Sequence, residues 1–119
     1  MKFLIVDDEP NMVYFMSLLL RESGYEVDGA HDGIEAMELL DNNSYDVAII
    51  DAIMPNMNGS EVCKFIKSHN LGTYIIGMSG YPDSLEELRN EGADICFTKP
   101  FSIEQVKSAI KYQLSLSNT

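Results

Sequence analysis

The chain has 119 residues, enough for one domain with one hydrophobic core, so we expect a single domain over residues 1–119. Its 8 basic residues face 19 acidic ones, giving a formal net charge of −11. The basic residues are scattered, which argues against direct nucleic-acid binding, because phosphate recognition needs clustered Lys and Arg. No apolar run approaches the ~20 residues of a membrane span, and the first predicted strand leaves no room for a signal peptide. We therefore expect a cytoplasmic protein that does not enter a membrane.

Predicted strands and helices alternate along the whole chain. The strands are predicted at residues 2–6, 25–30, 46–51, 73–79 and 94–98. The helices are predicted at 10–23, 33–42, 59–69, 83–91 and 102–115, with a frayed tail at 115–119. The first, third and fourth strands are continuous apolar runs, which is typical of parallel strands covered by helices on both faces. Five such strand–helix units predict an α/β protein with a doubly wound, five-stranded parallel sheet.

Residues that favour helix ends support these boundaries. Pro10 lies in the first turn of the first helix, and Gly24 follows its last turn. Asp32 opens the second helix. Ser102 and Gln105 have the spacing of a capping box at the start of the fifth helix.

Polar residues follow four of the five predicted strands. Asp7 and Asp8 come after the first strand, Asp51 ends the third, Ser79 ends the fourth and Lys99 follows the fifth. Each one alone is typical of a turn or a helix cap. Together they lie at the carboxyl ends of the strands, where doubly wound sheets bind their ligands. Their agreement favours one functional site over four separate caps.

The three aspartates predict a magnesium site. If the strand order is 2-1-3-4-5, the first and third strands are neighbours at about 4.8 Å, and Asp7, Asp8 and Asp51 lie close enough to share an ion. Mg²⁺ prefers carboxylate oxygens, keeps several waters and accepts a phosphate oxygen. We expect Asp8 and Asp51 to be direct ligands and Asp7 to act directly or through water. A backbone carbonyl just after Asp51 is expected to complete the set.

Asp51 is then placed to act as a nucleophile toward phosphorus, forming an aspartyl phosphate. The transferring phosphoryl group carries negative charge on three oxygens, so the protein has to position and neutralise it. Lys99 lies two strands away, roughly 10 Å, which its long side chain spans. Ser79 on the intervening strand offers a hydroxyl, and Pro100 restricts Lys99 to an extended conformation.

Taken together, these residues resemble the receiver domain of two-component response regulators over the whole chain. The resemblance is carried by Asp7-Asp8-Glu9-Pro10, Asp51 with Met54-Pro55 and Gly59, Ser79-Gly80, Gly92-Ala93-Asp94 and Lys99-Pro100-Phe101. It implies a flavodoxin-like fold with strand order 2-1-3-4-5. It also implies a signalling role rather than an enzyme's turnover, with catalysis limited to the domain's own phosphorylation and dephosphorylation.

The resemblance further implies the roles of individual residues and partners. Asp51 would be phosphorylated from a phosphohistidine on a histidine kinase or a phosphotransfer protein. Magnesium would bind Asp7, Asp8, Asp51 and the backbone carbonyl of Ile53. Ser79 would move toward the phosphate as the switch residue. The signal would then pass to a protein partner or to an attached output domain.

The sequence departs from the family's pattern in three places. Cys96 occupies the position that commonly holds an aromatic switch residue, and Phe97 lies on the other face of its strand. The segment from Ser79 to Lys99 is about two residues shorter than is common, which points to a trimmed fourth helix or leading loop. Ile53 and Tyr81 stand where polar residues often flank the phosphate, and we hypothesise that their bulk shields the acyl phosphate from water. Cys63 and Cys96, without metal-binding spacing, are predicted to be buried thiols.

The first predicted helix has two apolar faces. One is the predicted core stripe, formed by Val13, Met16 and Leu20. The other is formed by Tyr14, Phe15 and Leu18. A soluble domain rarely exposes such a patch without a function. We expect either a docking surface for the helices of the phosphodonor or partial burial against neighbouring side chains.

Three other functions fit the sequence less well. An aspartate-nucleophile phosphatase needs an acid two residues after the nucleophile, where Ile53 cannot move a proton. A flavin-binding protein of flavodoxin type would have a Ser/Thr/Gly-rich phosphate loop after the first strand, which this sequence does not have. A degenerate, non-phosphorylated receiver would not be expected to keep the acids, the serine and the lysine together.

Overall fold

A computed structural model describes the backbone of residues 1–117 and the side chains of residues 1–112. The strands are β1 (Lys2–Val6), β2 (Glu26–Ala30), β3 (Val47–Asp51), β4 (Tyr74–Ser79) and β5 (Ile95–Thr98). The helices are α1 (Pro10–Glu22), α2 (Gly33–Asn42), α3 (Gly59–Ser68), α4 (Pro82–Asn90) and α5 (Ile103–Ser117). All ten elements were predicted, and their ends differ from the prediction by no more than two residues.

The strands form one parallel sheet in the order β2-β1-β3-β4-β5, which confirms the predicted fold. The order reverses at β1, which lies between β2 and β3. Val6 at the end of β1 is in register with Ile50 of β3, so the residues that follow them emerge side by side. This places the predicted site at the crevice where open sheets of this kind bind ligands.

Two apolar layers cover the sheet. One face packs against α2, α3 and α4 and the other against α1 and α5. The expected core residues of α1 are confirmed, because Val13, Met16 and Leu20 are all buried. Every residue of β3 is buried, so the strand that ends at Asp51 runs through the core.

The predicted helix ends are mostly confirmed. An Asp32 carboxylate oxygen accepts a hydrogen bond from the Glu35 amide at 2.8 Å. The Ser102 amide donates to the Gln105 side chain at 2.8 Å, and the Gln105 amide donates to the Ser102 hydroxyl at 3.3 Å. The tail is a correction: α5 continues to Ser117, so the frayed segment predicted at 115–119 is helical over its first three residues. Positions 118 and 119 lie outside the described residues.

The cysteine prediction holds for only one of the two thiols. Cys63 on α3 is buried, whereas Cys96 on β5 is only half-buried. As predicted, Cys96 and Phe97 lie on opposite faces of the sheet, Cys96 with the α2–α3–α4 layer and Phe97 with the α1–α5 layer. Within residues 1–117, no helix is both long enough and apolar enough to span a bilayer.

Candidate functional site

The turn after β1 places one aspartate inside the protein and the next at the surface. Asp7 is fully buried, while Asp8 is exposed. The Asp7 amide donates to the carbonyl of Ala30 at the end of β2. One Asp7 carboxylate oxygen accepts from the Glu9 amide at 2.9 Å, which shapes the entry into α1. Asp7 therefore holds the turn with one oxygen and turns the other toward the site.

Asp51 ends β3 with only 6% of its surface exposed. Backbone hydrogen bonds hold the chain that follows it: the Ala52 amide donates to Met78 of β4 at 2.9 Å, and the Gly59 amide donates to Ala52 at 3.0 Å. A Cβ at Gly59 would collide with the carbonyl oxygen of Asp51. The start of α3 can lie against the Asp51 backbone because residue 59 is glycine, and this contact helps to fix the position of the carboxylate.

Lys99 connects the two buried carboxylates. Its ammonium nitrogen lies 3.0 Å from Asp7 Oδ2 and 3.5 Å from Asp51 Oδ2. Its backbone amide donates to the Ser79 carbonyl at 2.8 Å, which anchors the lysine to β4. The Lys99–Pro100 peptide bond is cis. The side chain thus spans β4, as the strand spacing led us to expect.

Burial and the neighbouring charges shift the pKa values of this cluster. Burial raises the pKa of Asp51 to about 6; the Lys99 charge opposes this rise, and the Asp7 charge adds to it. Burial alone would lower the pKa of Lys99, but its hydrogen bond to Asp7 and the charge of Asp51 raise it above the ordinary value. At neutral pH most of the Asp51 carboxyl is therefore ionised, and Lys99 is a cation.

The three aspartates predicted to bind magnesium lie together. One carboxylate oxygen from each of Asp7, Asp8 and Asp51 lies within 4.8 Å of the other two. Three hard oxygen donors, of which only one belongs to an exposed residue, match the ligand preference of Mg²⁺. Lys99 offsets part of the negative charge, so a divalent cation would still relieve repulsion here. The donor set fits the ion.

Ser79 is almost completely buried at the end of β4. Its hydroxyl oxygen accepts from the Tyr81 amide at 3.0 Å and lies 2.6 Å from the hydroxyl oxygen of Ser84. Ser84 lies in the first turn of α4 and was not predicted as a site residue, because no spacing rule relates a serine at a strand end to a second serine five residues later. A second hydroxyl in the first turn after the strand was the only available signal.

The response regulator receiver domain profile matches residues 3–111. The chain belongs to the receiver domain family of response regulators. The family is a signalling family of two-component systems, which agrees with the predicted function.

Individual relatives support this assignment. The receiver domain is 36% identical over 115 residues to the response regulator ArlR of Staphylococcus saprophyticus, which covers 95% of this chain and 52% of ArlR. It is 33% identical over 112 residues to the alkaline phosphatase synthesis transcriptional regulatory protein PhoP of Bacillus subtilis, covering 92% of this chain and 47% of PhoP. The chain therefore spans about half the length of these curated relatives.

A solved structure gives the same fold. The response regulator TrrA of Thermotoga maritima, in complex with Mg²⁺-BeF, superposes with a TM-score of 0.84 and 33% identity. The match covers 93% of this chain and 96% of TrrA.

Two apolar side chains of this receiver domain lie on loops that follow β3 and β4. Ile53 follows Asp51 by two residues and is 48% exposed, and its amide lies 3.4 Å from Asp51 Oδ1. Tyr81 follows Ser79 by two residues and is 69% exposed. The phosphatase alternative gains no support, since the Ile53 side chain carries no proton to transfer.

The second apolar face of α1 is exposed in this receiver domain. Tyr14, Phe15 and Leu18 expose 71%, 57% and 42% of their surfaces. Tyr14 and Phe15 also line a shallow cavity that reaches Glu9, two residues after Asp7. The expected exposure of this face is confirmed, and Phe15 and Leu18 are also partly covered by their neighbours. Its role in docking stays a prediction.

Proposed function

We propose that Asp51 accepts a phosphoryl group from a phosphohistidine and that the phosphorylated domain controls a partner. The observation that carries this proposal is the placement of Lys99 between two buried carboxylates, at 3.0 Å from Asp7 and 3.5 Å from Asp51. A half-buried lysine held beside a nucleophilic carboxylate suits a reaction that brings more negative charge to the same place.

In the proposed reaction, an Asp51 oxygen forms a bond to phosphorus while the bond between phosphorus and the histidine nitrogen breaks. The electron pair of the broken bond stays on the imidazole nitrogen, which takes a proton from solvent. Lys99 is already a cation beside Asp51, so its positive charge stabilises the phosphoryl oxygens without the side chain having to move into place. Asp7 keeps the ammonium group in place through its 3.0 Å contact.

Asp7, Asp8, Asp51 and the backbone carbonyl of Ile53 are the proposed ligands of Mg²⁺. The ion supplies positive charge that offsets the phosphoryl oxygens. Asp8 is the exposed member of the set, so a ligand can enter from its side. Ser79 is the proposed donor of a hydroxyl hydrogen bond to the phosphoryl group and acts as the switch residue.

The test of this proposal is incubation with acetyl phosphate and Mg²⁺, read by intact mass. Wild type is expected to gain one phosphoryl group and Asp51→Asn none, because the substituted amide is not a nucleophile. Asp41→Asn, which changes an exposed aspartate on α2, is the matched control and should behave as wild type. Equal labelling of Asp51→Asn, or no labelling of wild type, would contradict the proposal.

We further propose that the exposed α1 face binds the helices of a histidine kinase or a phosphotransfer protein. Tyr14 and Phe15 of this face line a cavity that reaches Glu9, so a helix lying there comes close to the carboxylate cluster. Phe15→Asp should abolish transfer from a cognate phosphohistidine donor while leaving labelling by acetyl phosphate intact. Leu71→Asp is the control, since Leu71 is exposed between α3 and β4, at the opposite edge of the sheet. Unchanged transfer in Phe15→Asp would exclude this surface.

The proposed output is a protein partner or an attached domain, and the proposed location is the cytoplasm. The two curated relatives are about twice as long as this chain, and one is described as a transcriptional regulatory protein. The net charge of −11 makes direct contact between this domain and nucleic acid unfavourable, so the proposed readout is protein contact.

A further inference from the structure

Two hydroxyl groups and the backbone N–H and C=O of Tyr81 form a short chain of hydrogen bonds at the start of α4. The Ser84 hydroxyl oxygen lies 2.6 Å from the Ser79 hydroxyl oxygen and 2.7 Å from the Tyr81 carbonyl oxygen. The Ser79 oxygen also accepts from the Tyr81 amide at 3.0 Å. Each serine has only one hydroxyl proton, so Ser84 cannot donate to both oxygens at once.

The single proton of Ser84 defines two arrangements. When Ser84 donates to the Tyr81 carbonyl, the 2.6 Å contact requires Ser79 to donate to Ser84, and the Ser79 proton is engaged. When Ser84 donates to Ser79 instead, the Ser79 oxygen accepts two hydrogen bonds and its own proton is free. Because the two arrangements differ only in the direction of hydroxyl protons, no heavy atom has to move far between them.

A second contact connects β5 to the first turn of α4. Cys96 stands where the family commonly has an aromatic residue, and its sulfur lies 3.9 Å from the carbonyl oxygen of Leu85, next to Ser84. A Cβ at Gly77 would lie 3.0 Å from that sulfur, so the thiol is confined between β4 and α4. The Cys96 side chain is small, and its thiol contacts α4 at Leu85. The polar contact between Ser79 and α4 is made by the Ser84 hydroxyl.

The part of α4 from Leu85 onward is fixed more firmly than its first three residues. Leu88 is 1% exposed, and Glu87 accepts a hydrogen bond from Ser60 of α3 at 3.0 Å. Ser84 is half-buried, and Tyr81, the residue that precedes the helix, is exposed. A change in the hydrogen bonds of Ser84 is therefore expected to act on the first turn before it acts on the remainder of the helix.

We propose that Ser84 is a positioning residue that couples phosphorylation of Asp51 to the first turn of α4. The inference rests on the proposed function, in which Ser79 donates to the phosphoryl group. When Ser79 does so, Ser84 turns its proton from the Tyr81 carbonyl to Ser79. The first turn of α4 then loses one hydrogen bond and opens more readily.

Hydrogen exchange at individual α4 amides, with and without acetyl phosphate and Mg²⁺, tests this coupling. In wild type, phosphorylation should accelerate exchange at Ser84 and Leu85 by up to about fivefold, the effect of losing one hydrogen bond. In Ser84→Ala this acceleration should disappear although intact mass shows Asp51 phosphorylated. Ser84→Thr keeps the hydroxyl and should keep the acceleration. Alanine favours helices, so the fold is expected to persist.

Two further variants separate coupling from a structural effect. Ser68→Ala removes a serine hydroxyl that bonds the carbonyl three residues earlier, as Ser84 does, but in α3 and away from Ser79. It should respond to phosphorylation as wild type does. Ser79→Ala breaks the same contact from the other side, so it should abolish the acceleration and make a second change at Ser84 silent.

The outcomes distinguish this inference from the proposed function. Acceleration in Ser84→Ala equal to that of wild type would overturn the coupling role. A wild type phosphorylated on Asp51 whose α4 amides do not respond would also overturn it, while leaving Asp51 as phosphoacceptor. A wild type that takes no phosphate would overturn the proposed function itself.

Discussion

The two halves of the site are built from different chemistry. One half is charged: Asp7, Asp51 and Lys99 are packed together with contacts of 3.0 and 3.5 Å. The other half is neutral: Ser79 and Ser84 share hydroxyl hydrogen bonds with the backbone around Tyr81. Both lie at the carboxyl edge of the same sheet, where Asp51 ends β3 and Ser79 ends the neighbouring strand β4.

The two halves differ in the free energy that a change in their contacts costs. Leaving a buried charge without its partner costs several kcal/mol, so the charged half holds one arrangement firmly. Redirecting a hydroxyl proton exchanges one neutral hydrogen bond for another, each worth about 1 kcal/mol. The charged half is thus suited to chemistry, and the hydroxyl half is suited to reporting that the chemistry has happened.

The largest effect should come from Lys99→Met. It leaves the fully buried Asp7 and the nearly buried Asp51 without their shared cation, and we expect a loss of roughly 3–5 kcal/mol in the free energy of unfolding without Mg²⁺. Urea unfolding measures it. Ser84→Ala, on the hydroxyl side, should cost no more than about 1.5 kcal/mol.

Lys64→Met is the control for the lysine change, because Lys64 is exposed on α3 and the substitution is chemically the same. It should alter stability by no more than about 0.5 kcal/mol. If Lys99→Met were as mild as Lys64→Met, the charged half would not depend on its cation. The contrast between the two halves would then fail.

Gly59→Ala should have the next largest effect, because it disturbs the backbone under the charged half. The new Cβ would collide with the carbonyl oxygen of Asp51, and we expect a loss of roughly 1–3 kcal/mol together with weaker labelling by acetyl phosphate. Gly80→Ala beside Ser79 is the matched control, since a Cβ there meets nothing within 4 Å. Equal urea midpoints for the two variants would contradict the role assigned to Gly59.

The charged half could be predicted from the sequence, and the hydroxyl contact could not. Continuous apolar runs fixed the strands, and parallel strands bring their carboxyl ends to one edge, so Asp7, Asp51 and Lys99 had to meet. Ser84 depends on the loop conformation between β4 and α4, which no periodicity specifies. The cis Lys99–Pro100 bond and the helical extension to Ser117 could not be predicted from the sequence either, since local propensity determines neither of them.

Asp51→Asn should raise stability at neutral pH in the absence of Mg²⁺. The pKa of Asp51 is raised from 3.8 to about 6, so the folded state favours the protonated carboxyl, and its contribution to stability is lost as pH rises through about 6. Removing the charge should gain roughly 1–2 kcal/mol at neutral pH, and Lys99 keeps Asp7 as its partner.

The pH profile of this gain is the decisive measurement. Well below pH 3.8 Asp51 is protonated in both the folded and the unfolded state, so the difference between Asp51→Asn and wild type should shrink toward zero. Ser79→Ala on the hydroxyl side removes no titrating group and should show a difference that does not vary with pH. A pH-independent gain in Asp51→Asn would show that burial and Asp7 do not act on this carboxyl as inferred.

The smallest expected effect concerns the lifetime of the phosphorylated state. Ile53 and Tyr81, which are 48% and 69% exposed, follow Asp51 and Ser79 by two residues, one beside each half of the site. If their bulk shields the acyl phosphate from water, then Ile53→Asn combined with Tyr81→Glu should shorten its lifetime a few-fold, a change of about 1 kcal/mol in the hydrolysis barrier. Decay of the phosphorylated mass after removal of acetyl phosphate gives the lifetime.

Leu71→Asn combined with Tyr112→Glu makes similar changes at exposed sites away from Asp51 and should leave the lifetime unchanged. A double variant at 53 and 81 that decays no faster than this control would exclude shielding, and the stability of the phosphate would then have to come from the charged half alone.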